Sequence, residues 1–172
     1  MTSPLLVFGW GNVSRGDDAL GPLFVNQLGA IVEAAATQLV DFLEDYQLQI
    51  EHALDLANRE RVLFVDASCA CATPFEVTML RATRDPTFST HAMSPQSVMQ
   101  VYSDLFGEAP PPCALLAIRG TSFELGESPQ KQSLDNLSQA LAWGQRWLDG
   151  SLMVSTTRST AVRGVAAEAS HA

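Results

Sequence analysis

Residues 5–21, LLVFGWGNVSRGDDALG, run from an apolar stretch through a glycine-rich turn into two adjacent aspartates and the start of an amphipathic segment. That order is a β-strand handing over to a helix. Leu5 to Gly9 reads as the strand; Leu20, Phe24, Leu28, Ile31 and Ala35 then recur at three- and four-residue spacing, which predicts a helix with Pro22 tolerated in its first turn. In open α/β sheets ligands collect outside the C-terminal ends of the strands, so this turn puts carboxylates where chemistry is done.

The alternation continues outward from there. Leu39 to Leu43 predicts a short second strand, and Ile50, Ala53, Leu54 and Ala57 a second helical stripe. RVLFVDA at 61–67 is continuous, β-branched and aromatic, as a strand covered on both faces must be, and it ends on Asp66. Phe75 to Leu80 alternates as a fourth strand, and Ser94 with Pro95 after it marks a helix start, as N-cap and first helical residue. Pro110, Pro111 and Pro112 break the chain before a fifth strand, Ala114 to Ile118. Leu134, Leu137, Leu141, Gly144 and Leu148 trace a last helix that stops at Gly150. The prediction is one three-layer α/β domain over residues 1–150, with a mostly parallel five-stranded twisted sheet and helices on both faces. Residues 151–172 carry small side chains without bulky anchors and are expected to form a disordered tail.

Composition narrows the function classes. At 172 residues, 47% hydrophobic and 17% charged, the chain is globular and long enough for one core. A net charge of −9 argues against nucleic acid and membrane surfaces, which want clustered Lys and Arg. No apolar run is long enough to span a bilayer, and MTSPLLVFGW lacks the basic region and cleavage site of a signal peptide, so a cytoplasmic location is expected. Cys69, Cys71 and Cys113 are odd in number and lack CxxC spacing, which predicts reduced, largely buried thiols.

If the sheet is parallel with right-handed crossovers, the C-terminal ends of strands one, three and four open on one edge. Asp17 and Asp18 follow strand one, Asp66 closes strand three and His91 follows strand four. Two carboxylates and an imidazole suit a borderline divalent ion such as nickel or zinc with positions left open for substrate. Asp18 has a simpler use, facing the positive end of the first helix for about 0.3–1 kcal/mol, and Asp17 reads as a cap or a solvated acid. Asp66 is harder to dismiss, because a carboxylate closing a buried strand is costly unless it is paired, hydrogen-bonded or bound to a cation.

The segments GWGNVSRGDDALG at 9–21, RVLFVDA at 61–67, THAMSP at 90–95 and FELGE at 123–127 resemble the nickel-iron hydrogenase maturation proteases, over about residues 5 to 148. EDYQLQIEHALDLANR at 44–59 is most similar to the branch that processes the soluble, NAD-coupled hydrogenases. The resemblance implies an aspartic-type endopeptidase that removes the C-terminal extension of the hydrogenase large-subunit precursor after nickel insertion, with nickel supplied by that precursor. It implies Asp18 and Asp66 as metal-contacting and catalytic acids and a loop histidine as a third contact. Relatives often carry that histidine just after the SP pair, where this chain has Gln96; the role is carried to His91. A glycine-rich turn that many relatives have after strand two is replaced by Glu44, Asp45, Tyr46 and Gln47. A monomer is expected for a protein that docks on a larger precursor.

Two rivals are weighed against this. A dinucleotide-binding turn needs a third glycine where the chain has Ser14, and Asp17 with Asp18 would repel a pyrophosphate. A phosphoacceptor receiver-type signalling domain would use Asp17, Asp18 and Asp66. Its acid pair, however, follows strand one directly, and its fifth strand ends on lysine rather than on Arg119 and Gly120.

Overall fold

The computed structural model describes residues 1–36, 39–84 and 93–151, together with the backbone of Val162–Arg163. Strand β1 (Leu5–Trp10) carries only buried or half-buried residues because both its faces are covered. A single 3-10 turn, Gly16–Ala19, leads into helix α1 (Leu20–Ala34), and strand β2 (Val40–Asp45) returns parallel to β1. Strand β3 (Arg61–Ser68) pairs with the other side of β1, again parallel. Strand β4 (Phe75–Met79), helix α2 (Pro95–Phe106), strand β5 (Cys113–Arg119) and helix α3 (Lys131–Leu148) follow, and the two residues of β6 (Val162–Arg163) pair with β4. The sheet order is β2-β1-β3-β5-β4-β6.

This is the expected α/β domain: β2, β1, β3 and β5 run parallel, with one helical layer on each face. Helices α1 and α3 cover one face around Phe24, Leu28, Val65, Leu116 and Leu137. Helix α2 and the 3-10 helix Ile50–Leu56 cover the other around Phe8, Leu56, Phe64, Val98 and Tyr102. The chain leaves β1 toward β2 on one side and then crosses to β3 on the other, so the strand order reverses between β1 and β3. The crevice beyond their C-terminal ends is the topological switch point where α/β folds bind ligands.

Two expectations are corrected. β4 runs antiparallel to β5, with Phe75 opposite Ile118 and Met79 opposite Ala114, so its C-terminal end does not open on the edge shared by β1 and β3. Period-two alternation carries no direction, so the sequence left this orientation open. The second helical stripe is a 3-10 helix in which Ala53 and Leu56, one turn apart, are buried while Leu54 and the terminal Ile50 are exposed. Cys71 and Cys113 are buried free thiols as expected, whereas Cys69 is exposed. Apart from Val162–Arg163, the tail expected to be disordered lies outside the described residues beyond Ser151. Among the described residues no helix is long and apolar enough to cross a membrane.

Candidate active site

The turn after β1 is built by close backbone approach. A side chain on Gly11, whose φ is +151°, would collide with the Asp18 carbonyl oxygen, and one on Gly21 would meet the carbonyl oxygens of Trp10 and Val65. Glycine at these positions lets the start of α1 press onto the ends of β1 and β3, and the 3-10 turn carrying the two aspartates sits at the crevice.

The neighbouring acids do opposite things. Asp17 is fully buried. Its Oδ2 accepts hydrogen bonds from the Thr121 and Ser122 N–H groups at 2.7 and 3.0 Å and from the Ser133 hydroxyl at 2.7 Å, and its Oδ1 accepts from the Gln130 N–H at 2.8 Å. Burial works to raise its pKa, but these donors together outweigh it and hold the carboxyl below its ordinary value. Asp17 thus ties the first turn to the segment after β5, which also binds it through Gly16 N–H to Glu127 and Gly126 N–H to Ser14. Asp17 is turned inward on these donors and fully buried, so it is not presented to a ligand, which counts against the receiver reading, since that needs the whole acid pair.

Asp18 is half-buried, and its Oδ2 accepts the Asn12 N–H at 2.7 Å. β3 runs on to Ser68 rather than ending on Asp66 as expected, and Asp66 lies on the α2 side of the sheet, one residue beyond the Gly9↔Val65 pair and therefore beside Trp10. Burial, then the charge of Asp18, push the Asp66 carboxyl up to about 7, and only the Ala67 N–H opposes them. The structure therefore brings the two predicted acids together. A buried carboxylate facing a second negative charge is a group that wants a proton or a cation.

His91 lies outside the described residues. Gln96 is half-buried in the first turn of α2, which starts at Pro95 after an N-cap in which Ser94 Oγ accepts the Ser97 N–H at 3.1 Å. Among the described residues no three His, Cys, Asp or Glu side chains stand together as a metal-holding group.

Two features at this edge had no clear signal in the sequence. Tyr46 is exposed, and its hydroxyl accepts a hydrogen bond from Asn12 Nδ2 at 3.0 Å. Arg119, at the end of β5, donates to the Cys71 carbonyl at 2.7 Å while its buried Nε has no partner.

No protein-family model matches the chain, and no curated protein matches it by sequence. Solved structures do match in fold. The NiFe hydrogenase maturation protease HycI from Thermococcus kodakarensis superposes with a TM-score of 0.64 at 23% identity, covering 86% of this chain and 93% of its own. The hydrogenase maturating endopeptidase HybD from E. coli gives 0.64 at 22% identity with the same coverages. A further endopeptidase from E. coli gives 0.60 at 24%, covering 86% and 93%. The chain has the fold of these maturation endopeptidases over nearly their whole length.

Proposed function

We propose that the protein is an endopeptidase that removes the C-terminal extension of a nickel-iron hydrogenase large-subunit precursor once nickel is in place. The observation that carries this reading is the Asp18–Asp66 pair at the switch point, with Asp66 held near neutrality by burial and by the charge of Asp18. The fold shared with maturation endopeptidases supports this substrate class, and the sequence motifs that surround the pair point the same way.

The chemistry follows from the donors. Two carboxylate oxygens, completed by the His91 imidazole, form a mixed oxygen and nitrogen set suited to a borderline ion, and the precursor brings that ion as part of the substrate. Contact with it would hold the precursor's C-terminal segment against the acids, so that only a loaded precursor is seated for cleavage. One carboxylate then takes a proton from a water as it attacks the peptide carbonyl. The C–N bond breaks, the amine leaves with a proton, and the mature chain keeps the new carboxylate. Asp66 suits the proton-exchanging role, since near neutral pH a group titrating at about 7 both holds and releases a proton.

The test is mass spectrometry of the nickel-loaded precursor after incubation with site variants. Asp18→Ala, Asp66→Asn and His91→Ala should each leave the precursor at full length, and Gln96→Ala should shorten it as the wild type does. Cleavage retained by His91→Ala and lost in Gln96→Ala would move the third contact to the helix.

A further inference from the structure

Glu44 to Gln47, at the end of β2 and just beyond it, replace the glycine-rich turn that many relatives of the resembled family have there. Its geometry is specific. Asn12 Oδ1 accepts the Ser14 N–H at 2.9 Å, which fixes which end of the Asn12 amide is oxygen. Asn12 Nδ2 can therefore only donate to the Tyr46 oxygen, at 3.0 Å. The Tyr46 proton is not used in that contact, and among the described residues no acceptor takes it. The Tyr46 oxygen is thus held in place by Asn12 and keeps its own proton to donate to another acceptor.

The backbone that carries Tyr46 is tied down as well. The Tyr46 N–H donates to Asp45 Oδ1 at 2.6 Å, and Asp45 Oδ2 lies 3.1 Å from His52 Nε2. His52 Nδ1 accepts the Gln49 N–H at 2.8 Å, so the imidazole proton sits on Nε2 and points at Asp45. The Asp45 carbonyl in turn accepts the Gly11 N–H at 3.1 Å. An exposed tyrosine needs none of this for folding. One residue, Asn12, links its hydroxyl to the reacting acids, because the Asn12 N–H holds Asp18.

We propose that Tyr46 is a catalytic residue of the proteolytic reaction, donating its phenolic hydrogen bond to the carbonyl oxygen of the scissile peptide, and that Asp45 and His52 position it. Negative charge develops on that oxygen as water attacks, and a donor fixed in advance stabilises it at no reorganisation cost. The proposal rests on the proteolytic reading and explains why EDYQLQIEH carries Asp45, Tyr46, Gln49 and His52 together.

The experiment is steady-state cleavage of nickel-loaded precursor by the wild type, Tyr46→Phe, His52→Ala and the double variant. Tyr46→Phe removes one exposed oxygen and keeps the ring, so its melting temperature should match the wild type. Its kcat should fall about 100-fold with KM within twofold, the loss seen when one oxyanion donor is removed. His52→Ala should lower kcat in the wild-type background and add nothing in the Tyr46→Phe background, whereas a purely structural role would add in both. Wild-type protein that leaves the precursor intact overturns the proteolytic reading itself. A wild type that cleaves, with Tyr46→Phe cleaving within twofold or changed only in KM, overturns the role of Tyr46 alone.

Discussion

At the scale of single residues, the division of labour between Asp17 and Asp18 is the main result, because the two share a turn yet meet different surroundings. Asp17→Ala removes a buried acceptor shared by four hydrogen-bond donors, one of them the buried Ser133 hydroxyl, and should cost about 3 kcal/mol, seen as a melting temperature lower by roughly 10 °C. Asp18→Ala loses one partly exposed contact and should melt within a few degrees of the wild type. The pH signature of Asp17 differs in sign from that of Asp66. The depressed pKa of Asp17 contributes stability that is present above the ordinary carboxyl value of 3.8 and is lost as pH falls through its lower folded value. Asp66, raised to about 7, contributes stability that is fully present below 3.8 and fades as pH rises toward 7. Denaturant titrations between pH 4 and 8 should therefore show Asp66→Asn flattening this decline and exceeding the wild type at pH 8 by about 1–3 kcal/mol. An unchanged slope in that variant would remove Asp66 as the titrating group.

At the scale of elements, the site depends on how closely α1 meets β1 and β3. Gly21→Ala places a methyl group against the Trp10 and Val65 carbonyls, so the helix must move off the sheet. Its melting temperature should drop by at least about 5 °C, and cleavage should fall with it as Asp18 shifts; a variant that melts with the wild type would show the junction to be loose. Much at this scale was legible in the sequence. RVLFVDA reads as a buried strand because both faces are apolar, and Ser94, Pro95 and Gly150 mark helix ends through local chemistry alone. The direction of β4 was not legible, since alternating burial is the same read forward or backward. The turn type of Ile50–Leu56 was hidden too, because its exposed Ile50 and Leu54 mimic a helical stripe. For the site, Asp66 announced itself by following an apolar run, although the strand continues two residues past it. The sequence set Asp17 apart as a cap or solvated acid, but the partners that bury it, Thr121, Ser122, Gln130 and Ser133, lie more than a hundred residues away and only the fold supplies them.

At the scale of the whole molecule, the sheet brings parts distant in sequence to one crevice: the first turn, the end of β3, the segment after β2 and the loop after β5. Their joint arrangement suits a polypeptide tail, with an open edge bearing acids and an exposed tyrosine, and it is unsuited to phosphate, which the acids repel. The net charge of −9 agrees with a partner other than nucleic acid or anionic lipid. The central claim is that these acids read a metal carried by the substrate. It is tested most directly by incubating the protein with nickel-loaded and nickel-free hydrogenase large-subunit precursor and weighing the products. The account predicts that only the nickel-loaded precursor is shortened, in one discrete step from its C-terminus. Equal shortening of both forms, or of neither by folded protein, would contradict it.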